Sequence, residues 1–178
     1  TISEKAAWEY LHEKSNKSFT MTTIHPGMVF GPLLSKNIYG ASATLILNLI
    51  RGKYPALPDV YFTVVDVRDV AKLHVEALEN SNSNDKRIIA TSQKGISFLE
   101  ISNMLRNLGF EKSPNNLIPN QVINSLAPFN KEMRSTASMI RRGRYDTDLS
   151  VTKSIFKWDQ IPLEITLDEM TKSLQLIN

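Results

Sequence analysis

Few side chains in this sequence have the types and spacing that chemistry needs, and those that do point to binding rather than to bond-making. The stretch that stands out is TTIHPGMVFGPLL, residues 22–34. An alternating half-apolar run at 19–24 leads into Pro26-Gly27, and a short apolar run then reaches Gly31-Pro32. Strand alternation that stops at Pro-Gly predicts a strand end followed by a sharp turn. In open α/β sheets, ligands bind outside the carboxyl ends of strands. Gly27 and Gly31 have no Cβ and admit close backbone approach, while Pro26 and Pro32 stiffen the loop. The segment predicts a rigid wall for a small-molecule site, although by itself it also fits an ordinary strand exit that binds nothing.

The rest of the composition narrows the chemistry. With no cysteine among 178 residues, disulfides and thiolate metal sites are excluded, and His12, His25 and His74 lack the spacing of a zinc site. The net charge is +3, with acids beside most of the lysines and arginines; RRGR at 141–144 is the densest basic patch. No basic stripe interleaved with aromatics marks a nucleic-acid surface. No apolar run is long enough to span a membrane and no signal peptide opens the chain. The expectation is a soluble, cytoplasmic protein with neither a nucleic-acid nor a membrane partner. Its 42% apolar content suits a globular core.

Periodicity supplies the elements that would position the loop. Residues 2–14 predict a helix with Ile2, Ala6, Tyr10 and Leu11 on its apolar face, already in full swing at the first residue, as if cut in the middle. A link at 15–18 leads to the strand at 19–24. Residues 42–52 predict a helix stopped by Gly52, 53–60 a surface connection, and 61–65 a short strand. DVRDVAKLHVEALEN, residues 66–80, is the clearest helix, capped by Asp66, with Val67, Val70, Ala71, His74, Val75 and Leu78 on one stripe. His74 on that stripe reads as a packed core histidine, and Arg68 and Asp69 as structural. A strand at 87–91 follows. Capping boxes at Ser97–Glu100 and Thr166–Glu169 each open a helix, the first ending at Gly109, the second carrying Leu167, Met170, Leu174 and Ile177. Prolines at 114, 119 and 128 break the intervening region into short helices, one at 133–142. A further helix is expected from about Ser150. The strands at 19–24 and 87–91 are expected to be parallel members of one sheet, since the helices between them give the necessary crossover.

Taken in order, SEKAAW (3–8), TTIHPGMVFGP (22–32), VVDVRDVAKLHVEALE (64–79) and YDTDLSVTKSIFKWDQIPLEITLDEMTKSL (145–174) resemble the extended short-chain dehydrogenase/reductases of the NAD-dependent epimerase/dehydratase superfamily. Within it, they are most similar to the dihydroflavonol-reductase-like and methylglyoxal-reductase-like aldehyde and ketone reductases. The resemblance covers nearly the whole chain and implies an α/β fold: the C-terminal part of a Rossmann-like parallel sheet plus a small, mainly helical substrate-binding domain. Residues 1–32 and about 60–91 would end the Rossmann-like domain, and about 33–59 and 92–178 would form the substrate-binding part. The family's glycine-rich turn and Tyr-x-x-x-Lys pair have no counterpart here. The resemblance therefore implies a C-terminal half that starts just after the lysine.

The chemistry implied is hydride transfer from a nicotinamide to a carbonyl carbon, with a tyrosine of the other half as proton donor. Pro26, Met28 and Val29 would face the cofactor, and Phe30, Leu33, Tyr54 and Tyr61 the substrate. No catalytic residue and no metal ligand is expected in this chain. NADP or NAD would serve the complete enzyme but is not expected to bind tightly to this chain alone. Its partners would be a small carbonyl substrate and either the missing N-terminal half or a second copy. The competing reading is a non-catalytic binding or regulatory module on the same scaffold.

Overall fold

Residues 23–30 form one extended run that changes partner halfway along. In the computed structural model, which describes residues 1–13, 19–35 and 40–177, strand β1 (Thr23–Pro26) pairs in parallel with β5 (Arg87–Ala90), setting Thr23 opposite Arg87 and Pro26 opposite Ala90. The two segments are parallel members of one sheet as expected, but the first strand begins at Thr23 and runs through Pro26, and residues 19–22 lie outside it. Strand β2 (Met28–Phe30) pairs in parallel with β4 (Val64–Asp66), setting Val29 opposite Val65. At the junction the Gly27 N–H donates to the Ala90 carbonyl at 3.0 Å and the Met28 N–H to the Thr63 carbonyl at 2.8 Å. The chain therefore does not turn at Pro26-Gly27, contrary to the sequence reading. It stays extended to Phe30, because Gly27 slips between two strands: a Cβ there would lie 2.1 Å from Thr91 Oγ1 and 2.4 Å from the Thr63 carbonyl oxygen. Among the described residues no strand pairs with the other edge of β1.

The remaining elements are α1 (Ile2–Glu13), α2 (Ala41–Ile50), β3 (Tyr61–Phe62), α3 (Val67–Glu79), β6 (Ile96–Ser97), α4 (Phe98–Asn107), α5 (Asn120–Leu126), α6 (Lys131–Arg142), α7 (Ser150–Ile155) and α8 (Leu163–Ile177). Strands β3 and β6 form an antiparallel pair. Successive strand residues point to opposite faces, so β4 divides two cores. Val64 joins Phe30, Ile46, Leu49, Ile101, Leu167 and Leu174, beneath α2, α4 and α8. Val65 joins Leu73, Ile88, Ala90, Phe156 and Trp158 on the other side. Each such fully buried side chain contributes about 1.5–3 kcal/mol. The supposed surface connection at 53–60 is partly core. Leu57 is buried and bridges to 116–118, its N–H donating to the Asn116 carbonyl and its carbonyl accepting from Ile118.

Local signals hold where they are self-contained. Ser97 Oγ accepts from the Glu100 N–H at 3.0 Å, and Glu100 Oε2 accepts from the Ser97 N–H at 2.6 Å, completing the expected capping box. Gly52 and Gly109 have φ of 67° and 95° just past their helices, as expected of such stops. They fail where tertiary contacts intervene. Helix α8 starts three residues before the second expected box, and Thr166 lies inside it, its hydroxyl donating to Asp66 Oδ2 at 2.7 Å. Helix α3 does not bury its predicted stripe: Val75 and Leu78 are 56% and 89% exposed, and Asp69 and Leu73 are buried instead. Asp69 Oδ2 accepts from the Ile161 N–H at 2.9 Å, which rolls the helix onto the 155–161 segment. His74 is exposed, its Nδ1 2.8 Å from the Val70 carbonyl of its own helix, so it is not a core histidine.

On α1 only Leu11 is buried, and Ile2 and Tyr10 face solvent. The helix is fastened by Glu4, whose Oε1 accepts from Arg87 Nε at 2.7 Å and lies 3.1 Å from His25 Nε2. The link at 15–18 and the side chain of Ile177 lie outside the described residues, as do residues 36–39.

Asp66 joins β4, α3 and α8 through a single carboxylate. Its Oδ1 accepts from the Arg68 N–H at 2.8 Å and from Arg68 Nε at 2.9 Å, and its Oδ2 from Arg68 Nη2 and the Thr166 hydroxyl, both at 2.7 Å. Arg68 also reaches Glu169 of α8. Burial alone would raise the Asp66 pKa; the hydrogen bonds from Arg68 and Thr166 outweigh it, so the carboxyl sits below the usual aspartate value.

Three outcomes are expected. Gly27→Ala should cost about 1–3 kcal/mol in the urea midpoint, because the extra methyl meets backbone that cannot yield. Asp66→Ala should cost about 2–4 kcal/mol, since it removes a cap and leaves Arg68 and Thr166 without their acceptor. Because the folded pKa of Asp66 is depressed, its contribution is complete above the unfolded value of about 3.9 and is lost as pH falls below it. Asp66→Asn should therefore flatten the acid limb of stability against pH.

Candidate functional site

At the carboxyl end of β2 the backbone leaves the sheet and makes one wall of a groove of about 240 Å³. Val29, Phe30, Gly31, Pro32 and Leu33 form this wall; Gly40–Ala43, at the start of α2, form the opposite one, with Val67 and Met170 between them. Gly31 is required here on two counts: its φ is 142°, and a Cβ would lie 2.6 Å from Val67 Cγ1. The Leu33 N–H donates to Ser173 Oγ at 3.0 Å, tying the loop to α8. Asp66, directly beneath, holds α3 and α8 together and so fixes the spacing of Val67 and Met170.

The groove is apolar. Its described lining carries no ionisable side chain, and no side-chain hydrogen bond caps the start of α2. It can seat and orient a flat apolar group, and any proton transfer there would need a donor from elsewhere. Among the described residues no group of acids and histidines could hold a metal ion.

The structure brings Val29, Phe30 and Leu33 into this groove and leaves the other sequence candidates outside it. Phe30 is its floor rather than a contact surface, being 1% exposed within the main core. Met28 is half-buried against the same core, and Pro26 is exposed at the end of β1. Tyr54 belongs to an aromatic group around Phe98, and Tyr61 lies beneath the Arg144 guanidinium. The Tyr54 and Phe62 rings meet the Phe98 ring edge-on at 6.4 and 5.6 Å, and the Arg144 guanidinium lies 5.1 Å over Tyr61. The Tyr54 hydroxyl accepts from Asn48 Nδ2 at 3.3 Å. Residues 36–39, within the substrate-binding part expected at about 33–59, lie outside the described set. Sequence reasoning missed Val67, Met170 and Ser173. It placed the first two in helix cores, and nothing local to Ser173 shows that its hydroxyl meets residue 33.

No helix is long and apolar enough to cross a membrane. No family model matches the chain. It is 36% identical over 108 residues to cinnamoyl-CoA reductase CAD2 of Medicago truncatula, a match covering 61% of this chain and 31% of that protein. It is 32% identical over 99 residues to the NADPH-dependent methylglyoxal reductase GRE2 of Saccharomyces cerevisiae, covering 52% of this chain and 29% of the reductase. Gre2 of Candida albicans, solved with NADPH, superposes with a TM-score of 0.73 at 22% identity, covering 98% of this chain and 49% of the other. UDP-glucose 4-epimerase of Thermotoga maritima superposes with a TM-score of 0.68 at 16% identity, covering 98% and 52%. The chain thus spans about half the length of these solved proteins. By sequence the chain is similar to reductases over 52–61% of its length, and in fold it matches about half of a solved reductase and of a solved epimerase.

Proposed function

We propose that the chain is the C-terminal, substrate-side portion of an NAD(P)H-dependent carbonyl reductase and is inactive by itself. The observation that carries this reading is the groove at the end of β2, a glycine-dependent apolar wall at the carboxyl end of a parallel strand, in a chain whose relatives are reductases. In this reading residues 1–32 and about 60–91 end the nucleotide-binding domain, and about 33–59 and 92–178 mainly surround the substrate.

The residues present fit a nicotinamide better than they fit a whole dinucleotide. The groove is narrow and apolar, and the described chain has no glycine-rich turn to hold a pyrophosphate. The Met28 N–H is spent on Thr63, so the alternation of a parallel ladder turns the N–H and carbonyl of Val29 toward the open edge, where a carboxamide can be met. Val29 would then orient the ring and Leu33 would border the carbonyl substrate, while Phe30 would hold both from below. When bound, the cofactor supplies the hydride; this chain excludes water and fixes which ring face is presented.

Purified chain mixed with NADPH and methylglyoxal, or with a panel of small aldehydes, should show no turnover above a buffer blank. Steady consumption of NADPH would overturn the proposal. Reading the frame upstream of Thr1 separates the two classes of function. An in-frame Tyr-x-x-x-Lys ending just before Thr1 supports the reductase. A start codon with nothing upstream favours the non-catalytic module.

A further inference from the structure

The open edge of β1 carries backbone groups that nothing among the described residues takes up, and their pattern is its own complement. The N–H groups of Thr23 and Gly27 donate to the Lys86 and Ala90 carbonyls, both at 3.0 Å, so in this parallel ladder Thr23, His25 and Gly27 address β5. Thr22, Ile24 and Pro26 therefore turn their main-chain groups to the open side. That side offers the N–H and carbonyl of Thr22 and of Ile24, but the carbonyl alone of Pro26. Pro26 is tolerated in β1 because its missing N–H falls on this side. The approach to the edge is held in place. The Thr22 hydroxyl donates to the Ser83 carbonyl at 2.7 Å, and the Met21 N–H to Asp85 Oδ1 at 3.2 Å. Alongside lies a groove of about 410 Å³, with Thr20, Thr22 and Ile24 on one wall and His74, Ala77 and the exposed Leu78 of α3 on the other.

We propose that this edge pairs with the same edge of a second copy of the chain, antiparallel about a two-fold axis at Ile24. Ile24 and the partner's Ile24 then exchange both N–H···O=C bonds, and at each end a Thr22 N–H donates to the other copy's Pro26 carbonyl. No donor is asked of a proline. A copy centred on Pro26 would set two carbonyls face to face, and one centred on Thr23 would draw in Thr20, which no strand holds. The Ile24 side chain packs toward Leu73 of α3, so the two-fold sets two isoleucines side by side on the α3 face, where each groove opens. A two-fold contact closes on itself, so assembly stops at a pair. The pairing goes beyond the reductase reading and does not rest on it; a polypeptide supplying its own strand at this edge would compete with it.

Sedimentation equilibrium of the purified chain tests this. The mass should move from 20.1 kDa toward twice that value as concentration rises from micromolar to submillimolar. Leu78→Glu sets like charges across the axis and should weaken the dimer about tenfold or more. The position is exposed, so circular dichroism and melting temperature should stay those of the wild type. The chain has no cysteine, and Ile24→Cys puts one thiol opposite another with Cα atoms about 5.5 Å apart, within disulfide reach. Oxidation should join the copies covalently, whereas with Thr23→Cys the thiols lie two residues out of register and should stay free. A monomer at every concentration would overturn the proposal. So would a dimer indifferent to Leu78→Glu, joining through Thr23→Cys in place of Ile24→Cys, or a mass that grows past the pair.

Discussion

A single buried carboxylate holds this arrangement together. Asp66 ends β4, caps α3 and takes the hydroxyl of Thr166 from α8, so one group ties the β4–α3 junction to a helix a hundred residues on. A buried aspartate is costly unless its acceptor sites are filled, and here four donors fill them. The spacing of Val67 and Met170 across the groove follows from this tie. Helix α8 begins earlier than its capping signal, its first turn closing onto the Pro162 carbonyl, and Thr166 meets Asp66 from inside it.

The groove depends on two glycines in different ways. Gly27 is extended, and it lets the strand change partners without leaving the sheet; its role is close approach between Thr63 and Thr91. Gly31 adopts a positive φ and passes against Val67, so it fixes where the wall begins. The groove-lining backbone thus starts at Val29 and continues past Gly31, later than the Pro-Gly pair suggests.

Two regions carry exposed apolar side chains, and they differ in character. Along α3 and α1 the exposed Val75, Leu78, Ile2 and Tyr10 accompany a strand edge unpaired among the described residues. On α5 the exposed Val122 and Leu126, with Phe129 just beyond, lie away from the cleft that Arg134 and Arg141 line.

Much of this was legible from residues alone, where the signal lay within a few positions. The Ser97–Glu100 box, the stops at Gly52 and Gly109, the Asp66 cap and the parallel arrangement of β1 and β5 all rest on local hydrogen bonding or on crossover length. Signals that depend on which face of an element meets a neighbour were not legible. The stripe on α3 was a sound pattern, yet the helix is rolled by the bond between Asp69 and Ile161, ninety-two positions away. His74 was carried into solvent by the same rotation, and Thr166 was drawn from an apparent cap into a helix interior by Asp66. Tyr54 and Tyr61 have the chemistry of pocket residues, but the β3–β6 pair and the Phe98 ring gather them away from the groove. Backbone preference and capping act over one helical turn, and the sequence by itself determines them. Which face is buried depends on long-range hydrogen bonds to charged groups, and only the tertiary structure decides it.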